Sequence, residues 1–320
     1  ISDGTSSVSN VSGVENIVGG SATNTYTFED GAALAGTISG GSNVLNYAAS
    51  TSAIAVDLGA GTASGTGGIA GVTGIIGGSA ADTLTGPAAD ASWTITGTNS
   101  GSVNGVSFSG FENLAGGSGA DTFAFAGGSA ASVTGGDGDD YVTGVLDATV
   151  LDLGLGSDTL DLSSDTGDVT VTVSADGSVG IDDGTVNIEG ITGADNVLGT
   201  SGTNTYVFAA GAALAGSVNG SRVILDYSNY TSAVTVDLTT GSATGTGGVD
   251  NVVEFIGGDG ADTLVGPAND ATWRLDAADS GEVNGVTFVG VENLTGGDGD
   301  DTFVVAPGVP PAGVLSGGAG

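Results

Sequence analysis

Acidic side chains are concentrated on one short stretch of the chain, residues 135–143, which read GGDGDDYVT. Asp137, Asp139 and Asp140 place three carboxylates within four residues. The chain of 320 residues has 37 Asp and Glu residues but only two cationic side chains, and it has no His or Cys. Carboxylates, hydroxyls and backbone carbonyls are therefore the groups that could do chemistry, and they suit a hard divalent cation such as Ca²⁺.

The composition also disfavours several functional classes. A formal net charge of −35 repels nucleic acid, and no basic patch is present that could bind phosphate. The missing His, Lys and Cys side chains remove the usual general base, Schiff-base amine and thiol nucleophile. No apolar run is long enough for a transmembrane helix, so membrane insertion is not expected. An enzyme is the least favoured class, although two close carboxylates could hydrolyse a glycoside.

The stretch at 135 belongs to a set of short repeats with the pattern GGxGxDxUx, where U is a large apolar residue. Further copies cover residues 77–85, 116–124, 257–265 and 296–304. The copy at 77 has Ala80 in place of the fourth-position glycine, and residues 153–161 match in part. In two degenerate copies, Asn24 and Asn204 replace the aspartate.

This nonapeptide resembles the repeats of the RTX (repeats-in-toxin) family, found in secreted bacterial toxins, adhesins and giant surface proteins. The resemblance implies a parallel β-roll in which the GGxGxD half is a calcium-binding turn and the xUx half is a short strand. Two nonapeptides then make one coil, so equivalent turns stack at intervals of two nonapeptides. The copies that begin at positions 116, 135 and 153 follow this interval to within one position, so residues 116–161 are expected to form a short β-roll. The motif covers about a fifth of the chain.

The resemblance also implies a set of metal ligands. In coils stacked about 4.8 Å apart, Asp121, Asp140 and Asp158 would form one column, and neighbouring charges would repel by about 3 kcal/mol at an effective dielectric constant of 20. Calcium would neutralise this column through carboxylate and carbonyl ligands. For any single turn, the alternative is an aspartate that only caps its own backbone. The candidate calcium-binding residues are Gly116, Ser118, Asp121, Gly135, Asp137, Asp139, Asp140, Gly156, Asp158, Asp259, Asp262, Asp298, Asp300 and Asp301.

A second, longer repeat relates the two halves of the chain with a 180-residue period. NTYTFEDGAALAG begins at Asn24 and NTYVFAAGAALAG begins at Asn204. A repeat of this kind predicts a continuous array of similar units. The predicted domains are 1–180 and a shorter second repeat, 181–320, joined without a linker. The last five residues align with 134–138, inside the motif above, and we expect the repeat array to continue beyond this chain.

Composition and periodicity predict the fold. Gly makes up 63 of 320 residues, and Val, Thr, Asn, Asp and Ser are also frequent, which favours strands and turns. Residues 53–58, 103–108 and 169–173 largely alternate between apolar and polar or small positions, which is typical of half-buried strands. The expected fold is all-β, a right-handed parallel β-helix or β-roll solenoid with a continuous apolar core. Trp93 and Trp273 recur at the same phase and are interpreted as core residues rather than as a sugar-binding platform.

The preferred functional hypothesis is structural: an extracellular stalk, fibre or surface-layer filament that calcium stabilises. Calcium is abundant outside cells and scarce in the cytosol, so the acidic chain would fold after secretion. The open strand edges at the two ends of a solenoid favour end-to-end self-association into a filament. The alternative is an adhesin-type module that binds surface glycans or a partner cell. Scattered Thr-x-Thr pairs weigh against a flat ice-binding array.

Overall fold

The computed structural model describes residues 13–310 and 313–319. It divides the chain into two compact units, of which unit 1 ends at Asp158 and unit 2 begins at Thr159. The described residues form strands, turns and bends, and none of them forms a helix that is long and apolar enough to cross a membrane. The all-β fold class is therefore confirmed, and the repeat boundary at 180/181 stays a prediction.

Alternating side chains explain why the strands form. Val169–Val173 reads VTVTV, and its three valines are buried while its two threonines are exposed. β-Branched residues suit this half-buried, pleated surface. Tight turns separate the strands, as at Asn104 and Gly105, whose φ angles of +45° and +83° match a two-residue hairpin turn.

Unit 1 is built from short strands. In chain order they are β1 (Ile17–Val18), β2 (Thr23–Thr27), β3 (Thr37–Ser39), β4 (Ser42–Asn46), β5 (Ala55–Asp57), β6 (Thr62–Ala63), β7 (Gly68–Ile69), β8 (Val72–Ile76), β9 (Thr83–Thr85), β10 (Ser92–Gly97), β11 (Ser100–Val103), β12 (Val106–Ser109), β13 (Asn113–Gly117), β14 (Thr122–Phe125), β15 (Ala130–Asp137), β16 (Tyr141–Gly144) and β17 (Ala148–Leu155). The next strand, β18 (Asp158–Asp161), starts at the last residue of unit 1.

Two sheets of unit 1 position its turns. The major sheet has the order β2-β4-β8-β12-β11-β10-β14-β16, and the minor sheet has the order β17-β15-β13-β9-β5-β6. Strands β1, β3 and β7 form a small third sheet. Most neighbouring strands are parallel, and several pairs are offset by the interval of two nonapeptides to within one position, as in Thr23↔Ser42 and Ser132↔Val150. The chain therefore returns to the same sheet at regular intervals.

Antiparallel hairpins interrupt this parallel pattern. Residues 103–108 were expected to form one strand, but β11 ends at Val103 and β12 begins at Val106, so the segment is the turn of a hairpin. The Asn-Gly pair at 104–105 is the physical reason, because both residues adopt positive φ. A hairpin of this kind adds residues between paired strands, so the offset between β9 and β13, as in Asn113↔Thr83, exceeds the regular interval.

Unit 2 has the same kind of strands. After β18 they are β19 (Val169–Val173), β20 (Val179–Asp182), β21 (Asn187–Ile191), β22 (Ala194–Leu198), β23 (Thr203–Phe208), β24 (Ser217–Asn219), β25 (Arg222–Asp226), β26 (Thr235–Asp237), β27 (Ser242–Ala243), β28 (Gly248–Val249), β29 (Val252–Ile256), β30 (Thr263–Val265), β31 (Thr272–Ala277), β32 (Ser280–Val283), β33 (Val286–Val289), β34 (Asn293–Thr295), β35 (Thr302–Val305) and β36 (Leu315–Ser316).

The sheets of unit 2 repeat the arrangement of unit 1. Its major sheet has the order β21-β20-β19-β23-β25-β29-β33-β32-β31-β35, and its minor sheet has the order β27-β26-β30-β34-β36. Strands β22, β24 and β28 pair side by side. Hairpins again interrupt the parallel ladders, at β19-β20-β21 and β31-β32-β33.

Aromatic stacks fill the core of each unit at equivalent positions. Trp93 stacks on Phe123 with ring centroids 5.3 Å apart, and Trp273 stacks on Phe303 at 5.4 Å. Both tryptophans are fully buried. Burial of this kind agrees with the core interpretation and leaves neither ring available as a sugar-binding platform.

Candidate metal centre

Strand pairing in unit 1 brings three related turns side by side. Residues 116–121, 135–140 and 153–158 connect β13 to β14, β15 to β16 and β17 to β18. The parallel ladder of the minor sheet continues into these turns, because Gly117 pairs with Gly136 and Gly136 pairs with Gly154. Equivalent residues of the three turns therefore lie next to one another, with the spacing expected from the sequence.

The aspartates that end these turns form a hydrogen-bonded ladder. The amide of Asp121 donates to Oδ1 of Asp140 at 2.7 Å, and the amide of Asp140 donates to Oδ1 of Asp158 at 2.7 Å. The amide of Ala91 donates to Oδ1 of Asp121 at the same distance. We call Asp121, Asp140 and Asp158 the corner column. All three side chains are at most 1% exposed.

In two members of the corner column, Asp121 and Asp140, the second carboxylate oxygen has no hydrogen-bond partner. Oδ2 of Asp121 and Oδ2 of Asp140 are buried and accept no hydrogen bond in the structure. An ionised carboxylate that is buried without a partner is costly, so burial raises the pKa of Asp121. Burial, together with the negative charges of Asp121, Asp158 and Asp139, raises the pKa of Asp140 to about 6. A cation beside Oδ2 would remove this cost.

A glycine leaves room for each of these oxygens. A Cβ atom on Gly116 would overlap Oδ2 of Asp121 and the carbonyl oxygen of Gly135. A Cβ atom on Gly135 would overlap Oδ2 of Asp140 and the carbonyl oxygen of Leu153. The first residue of the motif is therefore glycine because the carboxylate of the sixth residue occupies the place of its Cβ atom. Each such position brings a carboxylate oxygen and a carbonyl oxygen of the next turn close together.

Further carbonyl oxygens line the gap between turns. Cβ atoms on Gly136 and Gly138 would overlap the carbonyl oxygens of Gly117 and Gly119. A Cβ atom on Gly156 would likewise overlap the carbonyl oxygen of Gly138. These carbonyls point at the glycine of the following turn, so the space between turns is lined by oxygen atoms.

The other candidate residues of unit 1 lie at the rim of the same turns. Ser118, Asp137, Asp139 and Gly156 are exposed. Oδ1 of Asp139 accepts a hydrogen bond from the amide of Ser157 at 2.9 Å, and Oγ of Ser118 donates to the carbonyl of Ala88. The carboxylates of Asp137 and Asp139 add negative charge at this rim, and none of these residues belongs to the buried oxygens of the column.

In unit 2 the candidate residues fall on two different turns. Residues 296–301 lead from the minor sheet to the major sheet, as in the corner column, and Oδ2 of Asp301 again is buried without a partner. Residues 257–262 lead from the major sheet to the minor sheet. Both oxygens of Asp262 accept hydrogen bonds, from the amides of Val234 at 2.8 Å and Gly258 at 2.7 Å. The remaining candidates, Asp259, Asp298 and Asp300, are exposed.

Two glutamates extend the ladders in a way that the motif did not reveal. Oε2 of Glu112 accepts from the amide of Asp82 at 2.9 Å, and Oε2 of Glu292 accepts from the amide of Asp262 at 2.7 Å. Each glutamate thus accepts the amide of a buried aspartate, in the same way that Asp140 accepts the amide of Asp121. The pair Glu-Asn recurs at the 180-residue offset, and this recurrence is the sequence signal that could have found both glutamates.

The donor set fits a hard cation that accepts carbonyl ligands. Among residues 13–310 and 313–319, no three acidic side chains converge into a metal-holding group. The available oxygens are instead one carboxylate oxygen per turn together with main-chain carbonyls. Calcium accepts six to eight oxygens of mixed type and tolerates irregular geometry, so these residues suit Ca²⁺ better than Mg²⁺ or a transition metal. No family model matches the chain, and no curated protein matches it at a significant level.

Proposed function

We propose that the chain is a structural protein: a right-handed parallel β-solenoid of the RTX type, stabilised by calcium, that works outside the cell as a stalk, fibre or surface-layer filament. In this proposal the chain is not an enzyme and acts through its shape and its self-association. The proposal joins the sequence resemblance to the geometry of the corner column.

The observation that carries the proposal is the pair of buried, unpartnered oxygens on Asp121 and Asp140. Neighbouring carboxylates of this column repel each other, and the chain has only two arginines, both exposed residues of unit 2. A bound calcium ion would supply the missing positive charge at Oδ2 of each aspartate. The backbone carbonyls of the glycines would complete its ligands.

The regular registers support the solenoid. Parallel pairs such as Thr122↔Tyr141 and Leu114↔Val133 share one offset and lie on two different sheets of unit 1. A chain that visits the same sheets once per fixed interval, with apolar side chains facing inward at each visit, is the pattern of stacked coils. The hairpins at β10-β11-β12 and β31-β32-β33 are then outgrowths of individual coils.

Extracellular action follows from the metal. A calcium affinity matched to the extracellular concentration would leave the column charged and strained in the cytosol and neutralised after export. Self-association follows from the strand edges. Such edges pair readily with strands of another molecule.

Calcium dependence of the fold is the direct test. Far-UV circular dichroism and light scattering of the chain should be recorded with calcium, with magnesium and with chelator. We expect calcium, but not magnesium, to increase the strand signal, the thermal stability and the particle length, and electron microscopy to show filaments with calcium. A fold and a particle size that are the same in all three conditions would contradict the proposal.

A further inference from the structure

Turns that share the repeat motif adopt two conformations. In the first, which we call the closed turn, the amide of the second residue donates a hydrogen bond to the side chain of the sixth. The donor and acceptor pairs are Gly20 to Asn24 at 3.0 Å, Gly78 to Asp82 at 2.5 Å, Thr200 to Asn204 at 2.6 Å and Gly258 to Asp262 at 2.7 Å. The sixth side chain of a closed turn is therefore held by its own backbone.

In the second conformation, the open turn, this hydrogen bond is absent. The second residue is a glycine with positive φ: +136° at Gly117, +116° at Gly136 and +119° at Gly297. Oδ2 of the sixth residue, Asp121, Asp140 or Asp301 respectively, is then buried without a partner. The open turns are 116–121, 135–140 and 296–301.

The sequence explains which conformation a turn takes. The second position of a closed turn tolerates a β-branched residue, since Thr200 occupies it, whereas the open turns have glycine there because only glycine adopts such φ angles without strain. Strand length differs as well in unit 1. Strands β13 and β15 run through the second glycine, but β8 stops at Ile76, before the first glycine. A second glycine that belongs to the strand ladder cannot turn its amide toward the aspartate.

The two conformations offer different chemistry to a cation. In the closed turn of unit 1, Asp82 accepts from the amides of Ile54 and Gly78, so both of its oxygens are engaged. In another closed turn an asparagine replaces the aspartate. Nδ2 of Asn24 donates to the carbonyls of Gly20 and Ala22, so N–H groups rather than a free oxygen occupy the inside of this turn. A closed turn is therefore complete without a metal, and an open turn is not.

We infer that calcium is taken up at the open turns only, and that the closed turns, including the motif-matching 77–82 and 257–262, hold their coils together without it. This inference rests on the proposed calcium binding and adds its regulation. Calcium controls the order of residues 116–158 in unit 1 and of 296–301 in unit 2, while coils with closed turns stay folded in its absence. The chain responds to calcium segment by segment.

Hydrogen–deuterium exchange of the full chain, with calcium and with chelator, tests this directly. At free calcium about 100 times the dissociation constant, we expect amides of residues 116–158 to exchange about a hundredfold more slowly than in chelator. Peptides that cover 77–85 and 199–208 should exchange equally slowly in both conditions. Uniform protection along the chain, or protection centred on 77–85, would overturn the inference.

Two matched substitutions of buried aspartates sharpen the test. Asp140→Asn removes a charged oxygen from an open turn, and we expect the calcium midpoint to rise about tenfold or more. Asp82→Asn introduces into a closed turn the residue that Asn24 and Asn204 already provide, and should leave the calcium midpoint unchanged. An equal loss in both variants would overturn the inference. If Asp140→Asn does not fold, the exchange pattern of the unmodified chain still decides.

Calorimetric titration with calcium chloride, together with hydrogen–deuterium exchange, separates calcium binding by the chain from its restriction to the open turns. Heat of binding with protection spread over closed and open turns alike would leave the proposed function standing and reject the segmental response. No binding and no change in exchange anywhere would reject both. Binding with protection confined to the open turns supports both.

Discussion

Two turns of unit 1, 77–82 and 135–140, share the two glycines and the final aspartate of the motif but have very different environments. Each ends in a fully buried aspartate whose Oδ1 accepts a hydrogen bond from the amide of a residue distant in the sequence, Ile54 or Asp121. Oδ2 of Asp82 also accepts the amide of Gly78, whereas Oδ2 of Asp140 accepts nothing. Two copies of the motif thus differ in whether both oxygens of their buried aspartate are hydrogen-bonded.

The neighbours of each turn account for the difference. The turn 77–82 packs against Ser50 on one side and Gly110 on the other, and neither belongs to a copy of the motif. The turn 135–140 lies between two related turns, 116–121 and 153–158, and its second glycine continues their strand ladder. In the proposed function, a motif of this type would therefore become a cation site through the turn beside it, and not through its own residues alone.

Substitution of the second motif residue should produce the largest difference in unfolding free energy between an open and a closed turn. Gly136→Thr would force a β-branched residue to a φ of +116° and against the carbonyl of Gly117, and we expect it to cost about 3 kcal/mol of unfolding free energy. Gly20→Thr, in a closed turn with open space around its Cβ position, should cost less than about 0.5 kcal/mol. Urea denaturation of both variants measures the pair. Similar losses would show that the two conformations do not differ in this requirement.

Calcium itself should give the next largest effect. At free calcium about 100 times the dissociation constant, binding adds about 2.7 kcal/mol per site to the stability of the folded state. We expect this gain, measured by thermal unfolding with calcium and with chelator, to survive Asp262→Asn, because both oxygens of Asp262 are already hydrogen-bonded. A gain that disappears in Asp262→Asn would place calcium at a closed turn.

A closed turn can be weakened without touching calcium. Glu112 accepts from the amide of Asp82 and from Nδ2 of Asn99, so Glu112→Ala leaves two donors unpaired and should cost about 1 to 2 kcal/mol. The loss should be the same with calcium and with chelator. Glu29→Ala, at an exposed position, is the control and should change stability by less than about 0.5 kcal/mol. A loss for Glu112→Ala seen only with calcium would contradict the assignment.

Much of the fold follows from the sequence because its signals are local. Alternation of valine and threonine predicts β19 with its observed bounds, and the regular spacing of the motif predicts the stacking of 116–121 on 135–140. The hairpin at 103–106 was missed because the alternation of residues 103–108 outweighed the Asn-Gly turn signal between them. Local sequence patterns therefore predict the positions of strands better than they predict the turns that connect them.

The candidate site was predictable only in part for a different reason. The sequence named Asp121 and Asp140 through the repeat, and these residues do lie together. It also named Asp262, whose oxygens are both used by backbone amides. The conformation of the second glycine decides between these outcomes, and it depends on strand pairing with a neighbouring turn, which a nonapeptide does not contain.

When calcium is absent, acid should increase the stability that the open turn contributes through Asp140. A surface carboxylate whose pKa is lowered by folding has the opposite effect. The pKa of Asp140 is about 6 in the folded chain, above its usual value of about 4, so the folded state binds its proton more tightly than the unfolded state. The resulting stabilisation is complete below about pH 4 and is lost as pH rises through 6. After allowance for solvent screening we expect about 1 kcal/mol, and Asp140→Asn should flatten this slope in chelator.

The exposed Asp30, whose pKa is lowered by hydrogen bonds from Thr51, contributes a slope of opposite sign at lower pH. Urea denaturation in chelator between pH 4 and pH 8 measures the slope of Asp140, and a stability that rises with pH across 6 would contradict the burial of an uncompensated charge at the open turn.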